Sequence, residues 1–289
     1  VQEFANDVVY AFKWICDEEN VPTPNLVTES GRFMTAYHSV FITCIRDEIE
    51  TFADDQPVVL IDEDDPQVII ELKDLCDSIN AKNYAEYYHD ALQMKDELQI
   101  QFNLGLISLE DRAKGDVLFW EICARSLREA EVDGFSDEEF EQLKRNLAQK
   151  YLCNFSLFRS APDSWAIRQL FPIVPIHKLD EKPTDYATLV DVTCDSDGKI
   201  DRFVDLKDVK QTLELHNWDP GDDYYLGIFL VGAYQEVMGS HHNLFGHPNE
   251  AHIAIDNDGR YHVTKIIPGS RIDDMMQFAR YDVAQLAES

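Results

Sequence analysis

A cysteine and an aspartate stand side by side, Cys194 and Asp195, inside the stretch DVTCDSDG at 191–198. A thiol can give or take one proton, and a carboxylate can hold a cationic group. β-type residues lead up to the pair at 187–192 and away from it at 199–204, which predicts a hairpin with the pair near its turn. Side chains held at a strand end yet open to a ligand are well placed for chemistry. The plainer alternative is a solvated acidic hairpin with an incidental cysteine. Asp195, Asp197 and Asp201 beside Gly198 do not complete a calcium loop. The EF-hand pattern needs a third acidic position before the glycine and a distant glutamate.

A second group is Glu29-Ser30-Gly31-Arg32. Amphipathic spacing predicts a helix over 3–19, closed by Asn20-Val21-Pro22, then a short strand at 25–28 that leads into this loop. Helix, strand and glycine-bearing loop is the rhythm of an α/β unit. In a (β/α)8 barrel, the loop after a late strand lies where phosphate binds. Gly31 lets the backbone approach an anion, and Arg32 can pair with it through two N–H groups. An ordinary turn would read the same way.

The elements around these groups alternate in type. A long strand is expected at 35–48, followed by an acidic stretch at 47–65 that has no Lys or Arg other than Arg46 just before it. About four helices follow to residue 151, with Asp65-Pro66 as a start signal and Gly134 between the last two. Capping boxes are expected at Asn83 with Glu86 and at Ser136 with Glu139, and a weaker one at Ser108 with Asp111. Alternation at 155–158 suggests a strand, and 164–170 one or two helical turns. Later strands are expected between Pro172 and Pro175, near 212–216, and at 224–231, the last running into Gly232-Ala233-Tyr234 and a helix. A hairpin about Asp258-Gly259 and a helix over 270–279 follow. The helices thus interrupt a β domain whose strands belong to one sheet system. The expected partition is 1–34 as the end of a barrel, 35–65 with 152–289 as a discontinuous β domain, and 66–151 as an inserted bundle.

Composition narrows the function classes. The 289 residues are 45% hydrophobic and 11% aromatic, enough for a substantial core. A formal charge of −30 disfavours nucleic acid and anionic membranes and suits cationic substrates. The six cysteines are scattered without CxxC or zinc spacing, which reads as reduced thiols in a cytoplasmic protein. No apolar run approaches the ~20 residues that span a bilayer. The chain opens on Val1 and enters a helix at once, so a piece of a longer protein is expected.

Together these motifs resemble biosynthetic arginine decarboxylase, a pyridoxal-phosphate enzyme of the alanine-racemase-like fold, in its C-terminal portion. The resemblance covers essentially the whole chain. It rests on DVTCDSDGKID at 191–201, GIFLVGAYQE at 227–236, HNLFG at 242–246, ESGR at 29–32, the segment from Trp165 to Pro172, and the helical insertion. It implies an α+β, multidomain fold: the end of a (β/α)8 barrel that binds pyridoxal 5'-phosphate, a mostly antiparallel β domain, and an inserted helical bundle. It implies that Glu29 binds the pyridine nitrogen of the cofactor, that Gly31, Arg32 and Tyr234 hold its phosphate, that Cys194 protonates the α-carbon, and that Asp195 engages the guanidinium of L-arginine. The implied products are agmatine and carbon dioxide, within polyamine biosynthesis. The Cys–Asp hairpin would serve a neighbouring subunit, in a homo-oligomer that is a dimer or a dimer of dimers. Magnesium is also a family expectation, with no ligand set recognisable here. The family's Schiff-base lysine lies in the first part of the barrel and matches nothing in this sequence, so the chain alone is expected to be inactive. A non-catalytic decarboxylase-like regulator is the alternative. The joint presence of Glu29, Arg32, Cys194 and Tyr234 speaks against it.

Overall fold

In the computed structural model, residues 2–49, 58–62, 64–134, 138–206 and 209–288 are described. The amphipathic N-terminal pattern forms α1 (Gln2–Glu18). The expected strand at 25–28 is absent: these residues are exposed and belong to no strand among the described residues. Extended backbone becomes sheet only where a neighbour takes its N–H and C=O groups. The expected long strand is also shortened at its start. The ESGR glycine opens a helical turn, α2 (Gly31–Thr35), followed by a 3-10 turn (Ala36–His38), and β1 is Val40–Ile49.

The acidic stretch lies partly outside the described residues. Beyond it come the four helices expected: α3 (Gln67–Ser78), α4 (Tyr84–Asn103), α5 (Leu109–Asp133) and α6 (Glu138–Leu147). Their start signals divide. Ser108 and Asp111 form the full reciprocal capping box. Asn83 sits at the N-cap of α4 but makes no side-chain cap, because its Oδ1 accepts from the Asn80 N–H at 2.7 Å instead. Pro66, not Asp65, is the N-cap of α3, and Asp65 accepts from Lys114 Nζ at 2.7 Å and from the Asp62 N–H at 2.7 Å. Ser136 lies outside the described residues. The bundle closes on its own core, with Ile69, Leu72, Ala91, Leu98, Ile122 and Cys123 fully buried. There, burial pushes the Cys123 thiol up to about 12.

The chain returns through β2 (Gln149–Cys153), α7 (Leu157–Ser160), α8 (Pro162–Ala166) and β3 (Ile173–Pro175). The alternation at 155–158 is therefore not a strand; α7 takes its place. The hairpin follows as β4 (Asp185–Val190) and β5 (Lys199–Ile200), with β6 (Phe203–Val204), β7 (Val209–Lys210), β8 (Leu213–Leu215) and β9 (Tyr225–Phe229) after it. The chain ends with α9 (Gln235–Met238), the hairpin β10 (Glu250–Ile255) and β11 (Tyr261–Ile267), α10 (Ile272–Phe278), and α11 (Val283–Glu288), a helix the sequence pattern did not suggest.

One seven-stranded sheet joins the pieces, in the order β3-β9-β1-β2-β4-β5, with β8 also on β4. β1 before the bundle pairs with β2 and β9 after it, so the helices interrupt a single sheet. All pairings are antiparallel except β2 with β4. Tyr151, Leu189, Leu215, Leu226 and Ile228 form the centre of a second core on this sheet. The fold is thus α+β, a mostly antiparallel sheet with an inserted helical bundle.

Candidate active site

Two places carry the predicted residues. At the first, Glu29, Gly31 and Arg32 line a cavity of about 450 Å³ together with Phe33, Leu170 and Leu230. That volume suits a small organic ligand. Tyr234 is not among the lining residues; packing of the GAY turn on the end of α2 and the 3-10 turn holds it against Gly31 and Arg32. The Gly232 N–H donates to the Ala36 carbonyl at 3.0 Å, and a Cβ on Gly232 would collide with the carbonyls of Thr35 and Ala36 and with the His38 ring. Only glycine allows this approach. Tyr234 follows in the left-handed region, φ 70°, as N-cap of α9. The Arg32 guanidinium stacks over its ring, 5.0 Å from the centroid. A Cβ on Gly31 would stand 3.2 Å from the tyrosine hydroxyl, so the glycine lets Tyr234 pack close to the loop.

The Arg32 side chain is oriented by Asp163, which no motif includes, and by Gln235, a motif position without an assigned role. Nη2 donates to Asp163 Oδ2 at 2.6 Å. Asp163 is buried on α8 and is bound twice by Gln235, whose Nε2 donates to Oδ2 at 2.8 Å and whose Oε1 accepts the Asp163 N–H at 3.0 Å. A buried carboxylate needs such partners. Arg32 Nη1, in contrast, is buried with no partner among the described residues. Polar groups are seldom left so unless a further group completes the set. An anion seated at Arg32 would complete it, so these residues fit the phosphate end of pyridoxal 5'-phosphate.

At the second place, Cys194 and Asp195 stand on the hairpin turn, as the sequence predicts. They do not line the cavity that Glu29, Gly31 and Arg32 share. The turn is built on Asp191. Its Oδ1 accepts from Thr193 N–H at 2.9 Å and Thr193 Oγ1 at 2.7 Å, and its Oδ2 accepts from the Leu157 N–H at 2.8 Å, the first residue of α7. The Asp191 N–H closes the turn on the Gly198 carbonyl at 2.7 Å. Cys194 is exposed, the only exposed cysteine of the six. Asp195 Oδ2 is 3.7 Å from His242 Nε2, and Asn243 lies on Cys194. Trp165 on α8 donates from Nε1 to Asp197 Oδ2 at 3.1 Å.

The short helix α8 touches both places, through Asp163 at Arg32 and Trp165 at Asp197, and α7 meets the hairpin turn through the Leu157 N–H on Asp191. Arg159 on α7 is buried and donates to the carbonyls of Glu236 and Gly239, at 3.1 and 3.0 Å, and to Glu236 Oε1 at 2.7 Å. It fixes the end of α9 that follows Tyr234. No group of three or more His, Cys, Asp or Glu with metal-binding spacing occurs among the described residues. No described helix is long and apolar enough to cross a membrane.

The inserted bundle gives the class. Residues 62–144 match the family model of the arginine decarboxylase helical bundle domain. Beyond the bundle, the whole chain is similar to a part of biosynthetic arginine decarboxylases. It is 44% identical to that of a Nostoc species, covering 100% of this chain and 42% of the relative. It is 44% identical to that of Deinococcus radiodurans, covering 100% of this chain and 44% of the relative. The crystal structure of the biosynthetic arginine decarboxylase from Campylobacter jejuni matches 99% of this chain and 46% of its own, with a TM-score of 0.73 and 37% identity. The chain thus spans less than half the length of these relatives.

Proposed function

We propose that this chain is part of a pyridoxal-phosphate-dependent decarboxylase that converts L-arginine to agmatine and carbon dioxide. The observation that supports this most is Arg32: one nitrogen committed to a buried carboxylate, another buried and unpartnered. The names of relatives similar over the whole of this chain, though over less than half of their own length, agree with it.

Pyridoxal 5'-phosphate, when bound, supplies an electron sink for the α-carbon once the carboxylate leaves. Glu29 would bind the pyridine nitrogen and favour its protonated form, as a neighbouring carboxylate does. Arg32, whose Nη1 has no partner, and Tyr234, through its hydroxyl, would hold the phosphate beside Gly31. The Cys194 thiol gives its proton to the α-carbon. Asp195 accepts from the guanidinium, whose planar fork matches a carboxylate. The overall charge of −30 favours approach of a cationic amino acid.

Cys194 and Asp195 do not line the cavity at Arg32. This separation supports the reading that the pair completes the site of a second copy, in a homodimer or a dimer of dimers.

The test is product analysis with the longer protein that contains this chain, supplied with pyridoxal 5'-phosphate. L-Arginine should give agmatine, while L-ornithine and diaminopimelate should give little product. Turnover of ornithine or diaminopimelate in preference to arginine would overturn the substrate assignment.

A further inference from the structure

The HNLFG segment at 242–246 has no role in the reaction as described above, yet it lies against both residues of the hairpin pair. Two neighbours meet two neighbours, His242 against Asp195 and Asn243 against Cys194. The second contact is the more telling. Asn243 Oδ1 accepts from the Cys194 backbone N–H at 3.3 Å. A backbone N–H can only donate, so this contact fixes which way the amide faces. Nδ2 is then the end turned to the sulfur, 3.4 Å from Cys194 Sγ, with Oδ1 further away at 3.7 Å. Asn243 holds this pose from the left-handed region, φ 51°, which asparagine enters more readily than most residues.

The geometry points to Asn243 as a positioning residue for Cys194, one that anchors the cysteine backbone and donates an N–H to its sulfur. When the proton passes from Sγ to the α-carbon, the electron pair on carbon forms the new C–H bond and the S–H pair stays on sulfur. The Asn243 N–H then faces a thiolate, and a hydrogen bond to an ionised group is about twice as strong as a neutral one. The same donor steadies the thiolate in any reaction that passes through it. This role rests on the reading of Cys194 as proton donor, but the contact itself can be measured without that reaction.

The measurement is alkylation of Cys194 by iodoacetamide in the purified protein without added cofactor, at one neutral pH. Peptide mass spectrometry reads Cys194 separately from the other five cysteines. The reaction forms an S–C bond from the thiolate and releases iodide, so its rate follows the thiolate. Asn243→Asp keeps the shape and the acceptor for the Cys194 N–H, but replaces the sulfur's donor with a carboxylate oxygen. Its Cys194 should be alkylated roughly tenfold more slowly. Because the new carboxylate also repels the thiolate, a slower Asn243→Asp supports the proposal only when Asn243→Gly, which adds no charge, is slower too; an unchanged or faster rate in either variant overturns it. Should circular dichroism show Asn243→Asp unfolded, Asn243→Gly decides alone. It keeps the left-handed backbone easily, removes the donor, and should also react more slowly. Failure of arginine turnover would sink the decarboxylase reading and leave this rate difference standing.

Discussion

Arg32 and Asp163 are 131 residues apart in sequence and form an ion pair at 2.6 Å, while the guanidinium's other terminal nitrogen is buried without a partner. The pair holds one face of the guanidinium and leaves the other for an anion. Arg32→Ala should therefore weaken retention of pyridoxal 5'-phosphate by roughly 10- to 100-fold, the worth of a charge-assisted hydrogen bond of about 1.5–3 kcal/mol. Titration of cofactor into the longer protein, followed by absorbance, checks this. Arg32→Lys should recover only part of the loss, because a point charge cannot serve Asp163 and a phosphate from one planar fork. An unchanged dissociation constant in Arg32→Ala rules out the phosphate role.

Asp191 is the buried centre of the Cys194 turn, with both carboxylate oxygens occupied. Asp191→Ala strips acceptors from three donors, two of them backbone N–H groups. The expected cost is about 2–4 kcal/mol, since each unsatisfied buried donor carries about 1–3 kcal/mol and water can reach part of the turn. Urea denaturation should show a lowered midpoint. A midpoint equal to the parent's would mean that the turn does not depend on this carboxylate.

Asp65 and Lys114 join the entrance of the bundle to α5. The Lys114 hydrogen bond, helped by the Asp62 N–H, holds the Asp65 carboxyl below the usual carboxylate range. A group whose folded-state pKa is depressed contributes stability above its unfolded value, about 3.9, and loses it as pH falls through the folded value. Lys114→Met should thus melt below the parent at neutral pH, with a gap that shrinks in acid. Melting curves at neutral pH and below pH 4 check the sign. A gap that widens in acid contradicts the assignment.

The sequence made the local signals legible. The Cys–Asp pair lies on its predicted turn, the four helices interrupt one sheet, and Gly232-Ala233-Tyr234 runs from β9 into α9. What it hid was set by distant partners. The alternation at 155–158 reads as strand, but the Leu157 N–H is taken by Asp191 at 2.8 Å, and α7 starts there. Residues 25–28 have strand composition, but strand formation needs a neighbour that local pattern does not supply. Asp163 stands in none of the motifs, and Gln235 is a motif position to which no role attaches. Their role at Arg32 arises only when α8 and α9 meet. The part of Asn243 was visible as a motif position without a chemistry, because its partner Cys194 is 49 residues away.

Cys194→Ala gives the most direct test of the account, read as carbon dioxide and agmatine measured in the same reaction with L-arginine and the longer protein. The α-carbon needs a proton after carbon dioxide leaves, and a positioned acid typically contributes about 10²–10⁴-fold to such a step. Without the thiol, a proton delivered to the wrong carbon diverts product from agmatine to an aldehyde. The parent should release the two products in a ratio of one, and the variant should release carbon dioxide in excess of agmatine. No carbon dioxide from arginine in the parent, or a ratio that stays at one in the variant, would contradict the account.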